Sequence, residues 1–220
     1  FIDVVAESII SVNLNGDELD PNEVYRDSRI ELPALKKENK LQITGDFAYT
    51  NSGEGLHKFV DPVDGEVYLY SQFEVPDSRR VFPVFEQPDL KANFQFTVHG
   101  PKEWQLISNQ PTPPPSDHEG HSTWIFEETP RISSYITALI AGPYHVVRSE
   151  LISSSGKSVP LGIFCRRSLE QFLDAEYLFE ITKAGFSFFE SKFKTPFPFA
   201  KYDQLFVPEF NAGAMENAGA

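Results

Sequence analysis

The spacing of apolar and polar positions changes once along this chain. Up to about residue 150, short apolar stretches alternate with polar positions and are interrupted by turn chemistry, the pattern of half-buried strands. The stretch 11–14 runs into Asn15-Gly16-Asp17-Glu18, where Asn-Gly favours a tight hairpin turn. A strand over 42–49 precedes the polar loop Asn51-Ser52-Gly53-Glu54-Gly55, and further strands are expected over 67–74, 93–98, 104–108, 122–127, 136–140 and 144–148. The proline run Pro111-Thr112-Pro113-Pro114-Pro115 cannot sit in a sheet centre and predicts an exposed turn. At the start, Ile2-Asp3-Val4-Val5 reads as a strand already under way, so a piece of a longer protein, or a disordered start, is expected.

After Ser153-Ser154-Ser155-Gly156-Lys157 the period lengthens. A strand over 161–165 is followed by Ser168-Leu169-Glu170-Gln171, which has the form of a capping box. The helix it predicts runs to about Lys192 and buries Leu169, Phe172, Leu173, Leu178, Ile181, Gly185, Phe188 and Phe189. The loop Thr195-Pro196-Phe197-Pro198-Phe199 ends it, and a strand over 202–207 leads to a stretch of small residues. The expected fold is mainly β: an antiparallel β-sandwich or saddle over 1–152, then the beginning of an α+β domain over 153–220.

Composition narrows the function. A chain of 220 residues with 40% hydrophobic and 14% aromatic content can bury a sizeable core. Its formal net charge of -13 repels phosphate backbones and anionic lipid, which argues against nucleic acid as a partner. The one cysteine, Cys165, excludes an internal disulfide and reads as a core residue rather than a nucleophile. The longest apolar stretch, near Tyr135 to Ala141, is far too short to span a bilayer, so no membrane anchor is expected. His118-Glu119-Gly120-His121 lacks one residue of the His-Glu-x-x-His spacing and follows a proline run, which argues against a metal site. There is no phosphate-binding glycine loop, Cys-x-x-Cys pair or internal repeat.

Two segments carry candidate chemistry. Residues 211–220 form a Gly/Ala-rich stretch with one carboxylate, Glu216. Small residues let a ligand approach the backbone N–H and C=O groups, and the acid can fix an amine; a plain turn between strands fits the same residues. In the strand over 67–75, the period of two puts Tyr68, Tyr70, Gln72 and Glu74 on one face and Val67, Leu69 and Phe73 on the other. Gln72 and Glu74 then point into one polar, aromatic-lined space, or form an ordinary solvated face.

The stretch Gly213-Ala214-Met215-Glu216-Asn217 resembles the exopeptidase motif of the M1 zinc aminopeptidases, the aminopeptidase N family of gluzincins. The segment 71–92 is similar to that family's other signature, with Gln72-Phe73-Glu74 at a strand end, then Arg79, Phe82-Pro83 and Pro88-Asp89-Leu90-Lys91-Ala92. The surroundings, Lys201 to Phe210, look most like bacterial, particularly actinobacterial, members. Pro83-Val84-Phe85-Glu86-Gln87-Pro88 stands where many members have Pro-Cys-Phe-Asp-Glu-Pro, and Glu74 where epoxide-hydrolysing relatives tend to carry Gln.

The resemblance covers essentially the whole chain and implies a β-saddle joined to the truncated start of a thermolysin-like catalytic domain. It implies that Glu216 and Glu74 anchor the amine of a peptide with a free N-terminus, with Gln72 orienting it. It further implies that Gly213 and Ala214 align the peptide backbone, that Met215 packs against the first side chain, and that Asn217 completes the substrate-binding motif. In the parent metalloaminopeptidase a Zn2+ ion activates water, but its ligands, the general base and the oxyanion tyrosine would all follow Ala220. The chain alone is therefore expected to be inactive, and the parent a cytoplasmic monomer. The alternative is a non-catalytic member that uses the same saddle as a peptide or protein interaction module.

Overall fold

The computed structural model describes residues 1–220. The strands and helices in chain order are β1 (Ile2–Asp3), β2 (Ser8–Leu14), β3 (Asp17–Leu19), α1 (Pro21–Val24), β4 (Tyr25–Arg26), β5 (Arg29–Ile30), β6 (Leu41–Asp46), β7 (Gly55–Val60) and β8 (Val67–Gln72). They continue with β9 (Thr97–Gly100), β10 (Gln105–Ser108), β11 (Ser116–Asp117), β12 (Ser122–Ile125), β13 (Leu139–Gly142), β14 (His145–Ile152), β15 (Ser158–Cys165), α2 (Ala175–Phe193) and β16 (Tyr202–Leu205). Apart from β15 with β16, every strand pair is antiparallel. The fold is mainly β. Between β2 and β3, Asn15 (φ 60°) and Gly16 (φ 97°) both take the positive φ that a two-residue hairpin needs.

The sheet β10-β13-β8-β7 is covered on both faces, and side-chain parity decides which core each residue joins. Tyr68 and Tyr70 of β8 pack with Ile107, Ile140, Tyr144 and Phe164. Leu69, one position out of phase, packs on the other side with Leu106, Trp124, Phe126 and Ala141. Each fully buried side chain of this size contributes roughly 1.5–3 kcal/mol, so the two clusters dominate the stability of this part of the fold. Cys165 is buried and unpaired.

Several strand limits differ from those the pattern predicts. The expected strand over 93–98 begins only at Thr97. Ahead of it the Asn93 side chain donates to the Thr129 carbonyl (2.8 Å) and the Phe94 N–H donates to Thr129 Oγ1 (3.0 Å), so side-chain bonds interleave with the backbone bonds from Thr129 N–H to Phe94 and from Phe126 N–H to Phe96 and break the regular ladder. The expected strand over 136–140 becomes a 3-10 turn at Ser134–Ile136 followed by β13. There the Asn109 side chain takes the Ile136 carbonyl and the Ala138 N–H. β8 stops at Gln72, and the Gln72 Oε1 accepts the Glu74 N–H (2.8 Å) in a turn instead of the strand continuing.

The helix also departs from expectation. Ser168 does not cap it; its hydroxyl donates to the buried Asp61 (2.5 Å), which also pairs with Arg166 (2.8 Å), and residues 167–172 form a 3-10 segment. α2 begins after Asp174, whose side chain accepts the Tyr177 N–H. Its inner stripe, Leu178, Phe179 and Phe186, packs with Leu173 on Leu151, Val159, Leu161 and Ile163 of β14 and β15. Leu169, Phe172, Ile181, Phe188 and Phe189, predicted as core, are exposed, because one sheet covers only one stripe of a helix. No helix is long and apolar enough to cross a membrane.

β14, β15 and β16 form one sheet. The turn between β14 and β15 contains the expected 152/153 division, and α2 is the crossover that parallel pairing of β15 with β16 requires. The turn is tied to α2 by Glu190, which accepts from the Ser153 hydroxyl (2.6 Å), the Ser154 N–H (2.6 Å) and the Phe197 N–H (2.7 Å).

Those hydrogen bonds, led by the one from Ser153, hold the Glu190 carboxyl at about 2, below its ordinary 4.5. A carboxylate whose folded value is depressed adds stability above its unfolded value, and that stability is lost as pH falls toward the folded one. Glu190→Ala should therefore lower the melting temperature clearly at pH 7, with the gap to the parent closing between about pH 4.5 and pH 2. A gap that stays constant across those melts would contradict this.

Candidate functional site

Beyond β16 the chain turns back over the Tyr70 face of β8. A cavity of about 550 Å³ lies there, bounded by Tyr70 and Ser71, by Ile140, by Phe197 and Phe199, and by residues 202–207, 210, 212–217, 219 and 220. A second cavity of about 550 Å³ runs along α2 beside Phe186, Phe189 and Phe193. Its one acid is Glu190, both of whose oxygens already accept hydrogen bonds. The first cavity combines apolar walls with an uncommitted carboxylate, the arrangement expected of a ligand site.

The stretch 212–216 is tied at both ends and free between them. At the near end the Asn211 side chain donates to the Ser52 carbonyl (2.5 Å), and the Glu209 carboxylate meets His57 Nε2 at 3.1 Å. The Tyr70 hydroxyl donates to the Glu209 carbonyl (3.3 Å), while Phe210 packs edge-on against the Tyr70 ring. Burial, aided by the charge of Glu209, raises the Tyr70 hydroxyl to about 12, so at neutral pH it keeps its proton and acts as a donor.

At the far end the Gly219 carbonyl accepts from the Asp203 N–H (3.1 Å) and from Lys201 Nζ (3.0 Å). Asn109 donates to the Ala218 carbonyl (3.0 Å), and the Ala218 N–H reaches the Ile136 carbonyl. Lys201 and Asp203 form a buried ion pair (2.7 Å), and Arg148 contacts the other Asp203 oxygen (3.0 Å). Burial lowers the Lys201 ammonium from its ordinary value, and the charge of Asp203 opposes that.

Between these ties no backbone hydrogen bond involves Ala212 through Glu216. Gly213, Ala214 and Glu216 are exposed, Met215 and Asn217 are half-buried, and the Asn217 carbonyl accepts the Ala220 N–H (3.3 Å). Glu216 makes neither a salt bridge nor a side-chain hydrogen bond. The cavity therefore brings together all five residues of the motif. Gln72 and Glu74 do not line it; they lie one and three residues beyond Ser71, which does, and Glu74 is exposed and unpaired. Sequence reasoning missed the residues that hold the stretch in place: His57, Asn109, Lys201, Asp203, Glu209 and Asn211. Lys201-Tyr202-Asp203, two charges bracketing an aromatic at the start of a strand, is the one local signal, whereas His57 and Glu209 are 152 residues apart.

The peptidase M1 N-terminal domain profile matches residues 4–136, and the peptidase family M1 domain profile matches residues 177–220. The chain belongs to peptidase family M1. Aminopeptidase N of Streptomyces lividans is 63% identical over the whole chain, which spans 25% of that relative. Human aminopeptidase N is 31% identical over 89% of the chain and 20% of its own length. The M1 chain thus spans about a quarter or less of these relatives. In fold it resembles Legionella pneumophila aminopeptidase A, solved in complex with aspartic acid, with a TM-score of 0.85 at 20% identity, over 99% of this chain and 25% of that one.

No three side chains of His, Cys, Asp or Glu come together to hold a metal. His118 and His121 stack on each other (5.0 Å between ring centroids) in the turn between β11 and β12.

The far tie is testable at Gly219, which has φ 79° and where a Cβ would fall 2.8 Å from the Asn109 carbonyl oxygen. Gly219→Ala should cost about 1–3 kcal/mol in denaturant unfolding; a neutral result would mean that the turn is not held as described.

Proposed function

We propose that this chain is the amine-anchoring and substrate-aligning part of a zinc-dependent aminopeptidase N that removes N-terminal amino acids from peptides. In this reading residues 1–152 are the β-saddle domain and 153–220 the start of the catalytic domain. The zinc ligands and the water-activating groups belong to the remainder of the protein. The observation that carries it is the stretch 212–216, whose backbone groups are unpaired beside a cavity that Glu216 also lines.

An aminopeptidase must recognise a free α-ammonium to cut after one residue. An ammonium brings three donors and a large desolvation cost, which opposite charge offsets. Glu216 supplies that charge within the cavity wall. Glu74, past the end of β8, supplies a second acid, and Gln72 is held by its bond to the Glu74 N–H, which orients the turn bearing both. Gly213 and Ala214 offer backbone donors and acceptors to an extended peptide, and half-buried Met215 offers an apolar surface to its first side chain. Asn217, through its bond to the Ala220 N–H, shapes the end of the stretch. Such alignment contributes several kcal/mol to a barrier when the reacting group is held nearby.

The test is hydrolysis of an alanine or leucine chromogenic anilide by the full-length protein, with and without chelator, beside its Glu216→Gln variant. Chelator-sensitive turnover that falls about 100-fold or more in kcat/KM in the variant is expected, the scale for removing one partner of a desolvated charge pair. The 220-residue chain alone should release no amino acid. An inactive but folded and zinc-supplied parent would overturn the enzymatic reading in favour of an interaction module.

A further inference from the structure

We propose that His57 is a positioning residue: acting through Glu209, it holds residues 212–217 in the geometry that lets Glu216 meet an ammonium. The inference rests on the amine-anchoring reading of Glu216.

Hydrogen-bond geometry sets the state of the imidazole. The Gly53 N–H donates to His57 Nδ1 (3.0 Å), so Nδ1 is the acceptor and the ring proton sits on Nε2. That proton is aimed at Glu209 Oε2, 3.1 Å away. The ring has no freedom to turn, because its side chain is 1% exposed and it stacks on Tyr70 with centroids 4.8 Å apart at 23°. Tyr70 itself lines the cavity and binds the Glu209 carbonyl. One rigid aromatic pair on adjacent strands β7 and β8 thus grips Glu209 by both its side chain and its backbone.

Glu209 is an odd choice for its place in the chain. Its φ of 54° lies in the left-handed region, where glycine is unstrained and glutamate is not. Its side chain is 56% exposed, and His57 is its single side-chain partner. Neither core packing nor local backbone preference calls for a glutamate here. What the residue does is fix the point from which the chain departs toward Ala212. Alongside it, Gly53 (φ 81°) leaves the space that the Asn211 side chain fills, since a Cβ there would lie 2.2 Å from Asn211 Nδ2.

The experiment is a double-mutant cycle in the full-length protein, with leucine 4-nitroanilide as the amine-bearing probe. Glu209→Ala should lower kcat/KM about tenfold, mainly through KM. Glu209→Gln, whose carboxamide oxygen still accepts from Nε2, should restore most of it. On a Glu216→Gln background the same Glu209→Ala change should cost less than about twofold, because the amine contact it would disturb is already gone. Glu209→Gly suits the left-handed backbone and should melt no earlier than the parent, yet show the same loss as Glu209→Ala. An equal loss on both backgrounds, or no loss on either, would overturn the positioning role while leaving Glu216 as the anchor. If Glu216→Gln alone leaves kcat/KM unchanged, the amine-anchoring reading fails, and this inference fails with it.

Discussion

Parallel pairing of β16 with β15 is the constraint from which the rest of the site follows. An antiparallel return could have been a short turn, but a parallel one needs a crossover, and α2 is that crossover. Leu161 to Phe164 then lie beside Tyr202 to Leu205, and the chain leaves β16 in the direction that carries it over the buried Tyr68 and Tyr70 face of β8. Phe164, Leu205, Val207 and Phe210 complete that core, so the same packing that joins the two sheets also forms the cavity wall.

The loop after β16 is short of regular structure yet well held, and its ties differ in kind. The near tie is made by a histidine, a tyrosine hydroxyl and an asparagine, each contributing one directional bond to it. The far tie is a charge network in which Lys201 and Asp203 are buried and Arg148 is half-exposed, so the attraction within it is set against the desolvation of the buried pair. Such a network adds little net stability, but breaking it is costly, so it specifies one arrangement of the Gly219 turn. Gly162 makes room for it, since a Cβ there would lie 2.3 Å from Asp203 Oδ1. Between two such ties a segment can keep unpaired backbone groups without collapsing onto its own polar atoms.

Local chemistry made much of the molecule legible. The Asn15-Gly16 hairpin, the exposed proline run, the buried Cys165 and the two-faced parity of β8 all follow from rules that act over a few residues. Those rules fail where distant partners compete with them. Ser168 and Gln171 have the form of a cap, but Asp61, 107 residues away in sequence, takes the hydroxyl. The aromatics of α2 have the spacing of core residues, but how much of a helix is covered depends on how many sheets reach it, and that has no local signature.

The mainly β class, the small-residue stretch with its lone acid, and the family are all legible in the order of residues, because periodicity and motif are properties of neighbours along the chain. The packing of distant segments is what sets Glu216 at the edge of the cavity, with Gln72 ending β8 and Glu74 two residues past that end. It also decided that His57 and Glu209 meet across 152 residues. Hydrogen bonds and burial depend on distance in space, which the order of residues encodes only through the complete fold.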